Sequence, residues 1–452
     1  MTAELELAER ALGLAEPGDG TQVTVLRERS LVMRFAHSRP TQATSVDDMT
    51  VEVTALRDGH PASALTNRTD DDGLRACARS AVEAADVAAR VAGAGHHPGL
   101  PDPAPARGHD GHDPATAALD PTRGSAALQA AFAAARAHHA EAAGAWSAGE
   151  VRLGIASSRG VRAQDAVTDA YFKVVGRSAH GRGGHAMGAA VALDGLDVAG
   201  TAERAAAKAA LPGEPVTLAP GEYPVVLEPS AVGELLAWLG PLAFSGLAYA
   251  EGRSALCGRL GMRVAAPAIN LSDSPRFART LPRAFDLEGV PKAPLPLVQD
   301  GVAQNVVHDM RSAAMAGARS TGHALTPFGG ARGPLPTNLV LVGGGATDVE
   351  ELCAPIERGV YVTRLWYTNP VRPKETLITG VTRDGTFLIE DGRVTRPLRD
   401  LRLTDSVLDV LGRVQALTAT PVLTSEGGFY GRRFAHGVVC PALRASSMRF
   451  TG

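Results

Sequence analysis

Pro212-Gly213-Glu214-Pro215, followed closely by Pro220-Gly221, is the strongest interruption in a chain of 452 residues. Proline lacks the N–H that a helix interior or an inner strand needs, and glycine is costly to order, so no regular element runs through such a stretch. A chain this long also exceeds one ordinary domain. The interruption therefore divides it into an N-terminal domain, 1–212, and a C-terminal domain, 213–452.

In the first part, Leu5, Ala8 and Leu12 recur at helical spacing, which predicts an opening amphipathic helix over 3–14. β-favouring runs follow at 22–27, 31–37 and 50–56, and the Asp58-Gly59 turn returns the chain through 63–66. Asp70, Asp71 and Asp72 then precede an Ala-rich stretch over 74–91, and acidic residues there complement the positive end of a helix. Residues 125–144 predict a second Ala-rich helix, 151–158 and 160–166 a hairpin around Arg159-Gly160, 170–175 a strand and 201–210 a helix. The order helix, several strands, helix implies an α+β domain, with helices on one face of an antiparallel sheet. Between the two halves of this domain, 93–123 is rich in Gly, Pro, His and Asp and reads as a flexible loop.

Beyond the interruption, 223–227 is a short buried strand and 231–250 an apolar helix containing Gly233, Gly240 and Pro241. Short β-type runs follow at 264–271, 338–342, 359–366, 375–382, 386–390 and 393–397, with a late helix over 404–417. Short strands separated by Gly, Pro and Asp turns imply a β-rich domain, either barrel-like or a strongly curved sheet.

Hydrophobic residues are 45% and charged residues 21% of the chain. No window approaches the roughly 18–20 apolar residues of a membrane span. The start is acidic where a secretory signal is basic, so the expected location is cytoplasmic. A net charge of -3 provides no basic field for nucleic acid. Cys77, Cys257, Cys353 and Cys440 are far apart, without CxxC spacing, and read as small buried hydrophobes.

Four histidines of the loop, His96, His97, His109 and His112, lie near Asp102, Asp110 and Asp113. Imidazole and carboxylate ligate zinc and nickel, but a metal site needs rigid supports, so the segment reads as a linker with incidental metal affinity. His180 and His185 sit in a second glycine-rich stretch, suited to contacting an anion or simply to forming an exposed loop. Gly343-Gly344-Gly345 is neither a dinucleotide fingerprint nor a Walker loop, and the following Ala346-Thr347-Asp348 looks like a capped helix start. No nucleophile elbow or H-E-x-x-H is present, and nothing around Cys440 activates a thiol.

The second domain carries a series of phrases that resembles the TldD/PmbA family. They are Pro220-Gly221-Glu222-Tyr223-Pro224, Gly252-Arg253-Ser254, Asp273-Ser274-Pro275, Phe285-Asp286-Leu287-Glu288-Gly289, Ser320-Thr321-Gly322-His323-Ala324, and the strand and glycine turn over 338–345. The resemblance implies a pair of homologous chains, one bearing H-E-x-x-x-H on a helix just before the Gly-Arg-Ser phrase and binding zinc. Two His on one helical face ligate the metal, and the Glu polarises its water. Here that window reads Ala237-Trp238-Leu239-Gly240-Pro241-Leu242, with Glu234 nearby, and no His stands between His185 and His308.

The chain therefore resembles the TldE/PmbA-like subunit that lacks the zinc motif. That implies no catalytic residue and no metal of its own. Zinc would sit in a TldD-like partner, and the heterodimer would process unfolded or leader peptides. Strand addition at a sheet edge would hold such substrates, and Ser320, Thr321, Gly322 and His323 are the expected peptide contact. Two alternatives stay open. One is a homodimeric peptide-binding protein; the other is an atypical metallopeptidase with ligands drawn from His180, His185, His308 and Cys440.

Overall fold

The computed structural model describes residues 1–15, 19–92, 95, 97–327, 332–425 and 432–452. The chain opens with α1 (Ala3–Gly13), then β1 (Gly20–Ala36), β2 (Arg39–Arg57), β3 (His60–Thr66), α2 (Asp71–Ala92), α3 (Pro114–Ala117) and α4 (Pro121–Ala137). β4 (Ala140–Ser157), β5 (Arg162–Ser178), β6 (Gly183–Ala190) and α5 (Val198–Ala209) complete the first half. Its six strands form one sheet in the order β3-β2-β1-β4-β5-β6, antiparallel throughout.

Register decides which side is covered by what. Val23 lies opposite Ala156 and Met33 opposite Trp146, so the odd positions of β1 share a face. On that face Leu5, Ala8, Leu74 and Ala81 pack against Val23 and Val25. Further along it, Ala127, Ala131 and Ala205 pack against Phe35, Trp146 and Phe172. The other face carries Leu26, Leu153 and Ile155, and it rests on Ala284 and Phe285 of the second half. This is the expected α+β arrangement, with the helices on one side of an antiparallel sheet.

Strands are longer than the apolar runs suggest. The runs 22–27 and 31–37 are one strand, because Glu28 is not a break: its carboxylate accepts from the backbone N–H of Arg433 at 2.7 Å and from Ser30 Oγ at 2.7 Å. The Ala-rich run 125–144 is not a single helix. α4 stops at Ala137, His139 turns with φ 52°, and Ala140 already begins β4.

In the second half β7 (Gly221–Leu227), β12 (Arg358–Arg372), β13 (Leu377–Glu390), β14 (Arg393–Pro397), β15 (Arg402–Ser406), β16 (Val414–Leu417) and β19 (Leu443–Phe450) form a seven-stranded sheet. β8 (Leu271–Asp273), β9 (Leu295–Gln299), β10 (Val302–Ala303), β11 (Asn338–Leu341), β17 (Val422–Thr424) and β18 (Gly437–Cys440) form another of six. β12 pairs with both β7 and β13, while β15 meets β19 only through Leu403 and Phe450. The sheet is therefore strongly curved, its pairings running β12-β7-β19-β15-β13 and back to β12, which is barrel-like in connectivity.

The helices of this half are α6 (Pro229–Leu239), α7 (Gly246–Ala250), α8 (Met310–Ala316), α9 (Val349–Cys353) and α10 (Val407–Gly412). α6 lies in the largest core cluster, where Leu235, Leu236 and Leu239 meet Val225 and Leu227 of one sheet and Leu271 and Leu339 of the other.

Three local expectations are corrected. The stretch 231–250 is broken into α6, a π-turn over Gly240–Phe244 and α7, since Pro241 cannot donate to an α-helical ladder. The stretch 404–417 is strand, short helix and strand. Of 264–271 only Leu271 lies in a named strand, Pro267 standing in the middle of the run. Among the described residues, no helix is long and apolar enough to cross a membrane.

Candidate functional site

The window 237–242 straddles the junction between α6 and the π-turn. Residues five apart lie about 140° apart around an α-helix, whereas a π-turn, with its i→i+5 bonds, brings them back towards one side. Ala237 and Pro241 are exposed, Trp238 is half-buried, and Leu239 and Leu242 are buried in the core. The Trp238 indole N–H donates to Thr368 Oγ1 on β12 at 2.8 Å, and the Thr368 hydroxyl donates in turn to the Glu234 carboxylate. The side of α6 that faces outward is therefore tied to β12 by neutral and acidic groups already in use.

A second polar centre lies beneath the first sheet. Asp273 on β8 is fully buried, with Lys292 Nζ at 3.1 Å and His323 Nε2 at 3.2 Å from one carboxylate oxygen. Its other oxygen accepts from the Asn338 N–H at 2.8 Å. Burial works against the charge, but Lys292 and then His323 outweigh it and hold the Asp273 carboxyl well below the usual range. Burial, reinforced by Lys292, pushes the His323 pKa below its ordinary value against the opposing pull of Asp273.

Thr321 Oγ1 is 2.9 Å from His323 Nδ1, giving a hydroxyl, imidazole and carboxylate in sequence. It resembles a hydrolase triad, but the hydroxyl is occupied, accepting from the His308 N–H at 2.7 Å and reaching the His308 carbonyl at 3.2 Å. His323 and Asp273 have no solvent access. The network fixes the 320–324 segment from inside, leaving half-buried Ser320 and Thr321 as its outward part.

Next to it, Asp286 accepts from the N–H groups of Glu288, Val290 and Ala324, and Glu288 accepts from the Met310 N–H at the start of α8. Burial, with added repulsion from neighbouring carboxylates, pushes both acids up to about 8. His97 Nε2 lies 3.7 Å from Glu288, and burial pushes that imidazole down to about 4.

The loop histidines are not brought together. His97 faces Glu288, His109 Nε2 lies 2.8 Å from Asp165, and His112 Nε2 lies 2.7 Å from Glu150. His96 falls outside the described residues. Asp102 pairs with Arg159 at 2.8 Å, and Asp113 caps α3. His185 is fully buried on β6, His308 lies beside Ser312 Oγ at 3.2 Å, and His180 sits in the turn before β6. Cys440 is buried against the Pro229 carbonyl, and burial pushes its thiol up to about 12, far from a reactive thiolate. Among the described residues, no three His, Cys, Asp or Glu side chains are grouped so as to hold a metal ion.

Residues 220–452 match the PmbA/TldA metallopeptidase C-terminal domain, 22–85 its domain 1, and 116–211 its central domain. The chain belongs to the PmbA/TldD family. Among curated PmbA/TldD-like relatives, a metalloprotease of Methanothermobacter thermautotrophicus is 27% identical over 44% of this chain and 43% of its own. A Haemophilus influenzae metalloprotease TldD homolog is 24% identical over 51% of this chain and 48% of its own. The chain thus matches about half the length of these relatives. Its fold is similar along 99% of both chains to TldE from Thermococcus kodakarensis, at 20% identity and a TM-score of 0.84. A putative modulator of a DNA gyrase from Thermotoga maritima superposes with a TM-score of 0.83, again at 20% identity.

Against the PmbA/TldD zinc motif, the window does not fit a metal. Ala237, Leu239, Gly240, Pro241 and Leu242 carry no ligating atom, and the Trp238 indole nitrogen can only donate. A π-turn, whose geometry suits a five-residue ligand spacing, is present here over Gly240–Phe244, while ligands are not.

Sequence reasoning missed Lys292, Glu288 and Arg433. A signal existed for the first, since lysine is rare in this arginine-rich chain and Lys292 fills a site fully enclosed beside Asp273. Arg433 carried none: it bonds Asp169 through two nitrogens at 2.7 Å and Ser147 at 2.9 Å, across 264 and 286 residues of sequence.

Proposed function

We propose that this chain is the non-catalytic subunit of a heterodimeric zinc metallopeptidase of the TldD/TldE type, acting in the cytoplasm on unfolded or leader peptides. The observation that carries the reading is the window 237–242. Its outward positions are Ala237 and Pro241, its inward ones are core leucines, and Trp238 is engaged by Thr368. A partner bearing H-E-x-x-x-H would supply the zinc and the water that it activates. This chain would complete the wall of the active site and the channel that admits an extended peptide. Ser320 and Thr321 would touch that peptide, with Gly322 and His323 holding the segment in place.

Likeness in fold to a TldE and in sequence to a TldD homolog supports a paired arrangement. The test is to purify the chain and a zinc-motif-bearing relative separately and to assay cleavage of an unfolded peptide. The reading predicts no cleavage by this chain alone, and a 1:1 complex that cleaves faster than the partner alone. Cleavage by the isolated chain, or a partner indifferent to its presence, would count against it.

A further inference from the structure

β12 changes character where it passes α6. From Gly359 to Leu365 it is buried, whereas from Trp366 to Arg372 every residue but Thr368 is exposed. A regular strand turns alternate side chains inward. Here the register slips: Trp366 lies opposite Val381 and Asn369 opposite Thr379, so β12 spends three positions where β13 spends two. Such a bulge re-aims side chains. It turns the neighbours Trp366 and Tyr367 outward together, with Tyr367 at φ 52°, a left-handed conformation uncommon outside glycine. Trp366 is 41% exposed, Tyr367 79% and Val371 49%, while Trp146 is enclosed and Trp238 half-buried. Large apolar side chains grouped in the open, beside a backbone turn that costs free energy, mark a binding surface.

Cations surround the Trp366 ring. Arg364 stands 4.9 Å from its centre, Arg383 5.6 Å, and Lys173, reaching across from the first sheet, 6.0 Å. The acids nearby are Asp384, which Arg364 holds with one bond at 3.0 Å, and Asp400, which lies in the field of Arg177, Arg364 and Arg383. Lys173, Arg177, Arg364 and Arg383 thus outnumber Asp384 and Asp400, in a chain whose net charge is -3. The surface also adjoins the window 237–242, since Trp238 donates to Thr368, two residues beyond Trp366 on the same strand.

Symmetry and charge together select the occupant. Two copies of one chain normally pair about a two-fold axis, which sets a patch against itself. Here that would bring Arg383 and Lys173 of one copy against those of the other, and like charges across an interface cost affinity. A different chain with carboxylates in the matching place meets an attractive field instead.

We infer that the strip 366–371 is the seat of the zinc-bearing partner subunit, which meets it with an apolar segment flanked by carboxylates. The cations around Trp366 favour that pairing over a homodimer. The inference rests on the subunit reading and deepens it, giving the partner a surface and a charge.

The test titrates the full chain with the zinc-motif-bearing relative and reads the dissociation constant by sedimentation velocity, at low and at high salt. Trp366→Ala and Arg383→Glu should each weaken the complex at least about tenfold, and the wild-type affinity should fall with added salt. Arg383 is exposed, so an unchanged unfolding midpoint in Arg383→Glu separates lost docking from lost folding. The wild type alone should stay monomeric. Binding by both variants within about twofold of wild type, or a wild-type homodimer that Trp366→Ala dissolves, would overturn the inference. An unchanged complex that cleaves peptide more slowly in both variants would assign the strip to the substrate and overturn it too. If complex and cleavage both persist in the variants, the subunit reading stands without this surface; if the wild type forms no complex, both fall.

Discussion

The indole of Trp238 donates to the hydroxyl of Thr368 at 2.8 Å, so the outward side of α6 is fastened to β12 within the window 237–242. Trp238 and Thr368 are 130 residues apart, and their bond closes the polar chain that ends on Glu234. Replacing Trp238 by Phe keeps the ring against the core but leaves the Thr368 hydroxyl, which is nearly buried, one partner short. The expected loss is about 1 kcal/mol of unfolding free energy, read from the denaturant midpoint. An unchanged midpoint would show that the bond contributes nothing.

The same window predicts an asymmetry between its two ends. Ala237 is exposed, whereas Leu242 is 6% exposed within the main core. Ala237→His should lie within about 0.5 kcal/mol of wild type. Leu242→His should cost roughly 2–4 kcal/mol, because apolar packing is lost and an imidazole is buried in its place. Equal tolerance at both positions would mean that Leu242 is not held in the core.

The buried acids give stability a slope at neutral pH. Burial pushes Asp286 and Glu288 up to about 8, above an unfolded value of roughly 4. Protonated carboxyls suit the folded state, so their contribution is fully present below the unfolded value and is lost as pH rises towards 8. His97 acts in the opposite sense: pushed down to about 4, it makes stability rise with pH up to its ordinary value of roughly 6.5. Between about 6.5 and 8 the carboxyl effect outlasts that of His97. Asp286 has three N–H donors to satisfy its charge and Glu288 one, so Glu288 is the better carrier of the proton. The denaturant midpoint should fall across that interval in the wild type and fall less in Glu288→Gln. A flat wild-type profile would contradict the burial of these groups.

How much of this was legible from sequence depended on whether the cause was local. α2 follows the Asp70, Asp71, Asp72 cluster as expected, with Asp70 accepting from the Gly73 N–H. The hairpin at Arg159-Gly160 forms where expected because Gly160 takes φ 97°. Arg27, Glu28 and Arg29 interrupt the apolar pattern of β1, so its sequence reads as two runs. What keeps it whole is unbroken pairing with β2 and β4, the Glu28 carboxylate being satisfied by a residue 405 positions away. Ala140 and its neighbours read as helix by propensity, but antiparallel pairing with β5 and the burial of Ala142 override it. In the candidate site, the missing ligands and the disruptive Pro241 were plain. The buried acids were not legible, since nothing in Asp286-Leu287-Glu288 announces that two carboxyls will be enclosed.

Arg433 joins the two halves and offers a sharper test of their docking. Its backbone N–H bonds Glu28, and its guanidinium bonds Asp169 and Ser147 on the first sheet. Arg433→Met leaves Asp169 without its partner in a largely buried site, at an expected cost of about 3–5 kcal/mol. Adding Asp169→Leu should restore part of that loss. A single variant as stable as wild type would mean that the bond across the halves is dispensable.

The His109–Asp165 pair predicts the behaviour in acid. Burial opposes the Asp165 charge, but the His109 hydrogen bond and positive field outweigh it and hold the carboxyl below its ordinary value. A depressed carboxyl stabilises above its unfolded pKa and loses that contribution as pH falls through the folded one. Asp165→Asn should therefore be less stable than wild type at pH 7, with the gap closing in acid. A gap that persists unchanged at low pH would assign the effect to packing instead.

The most direct test of the central claim is zinc stoichiometry. The isolated chain and its 1:1 complex with a zinc-motif-bearing family chain would be dialysed against trace zinc and assayed for metal by mass spectrometry. The account predicts no stoichiometric zinc in the isolated chain and one zinc per heterodimer. One tightly held zinc in this chain alone, or two per heterodimer, would contradict it.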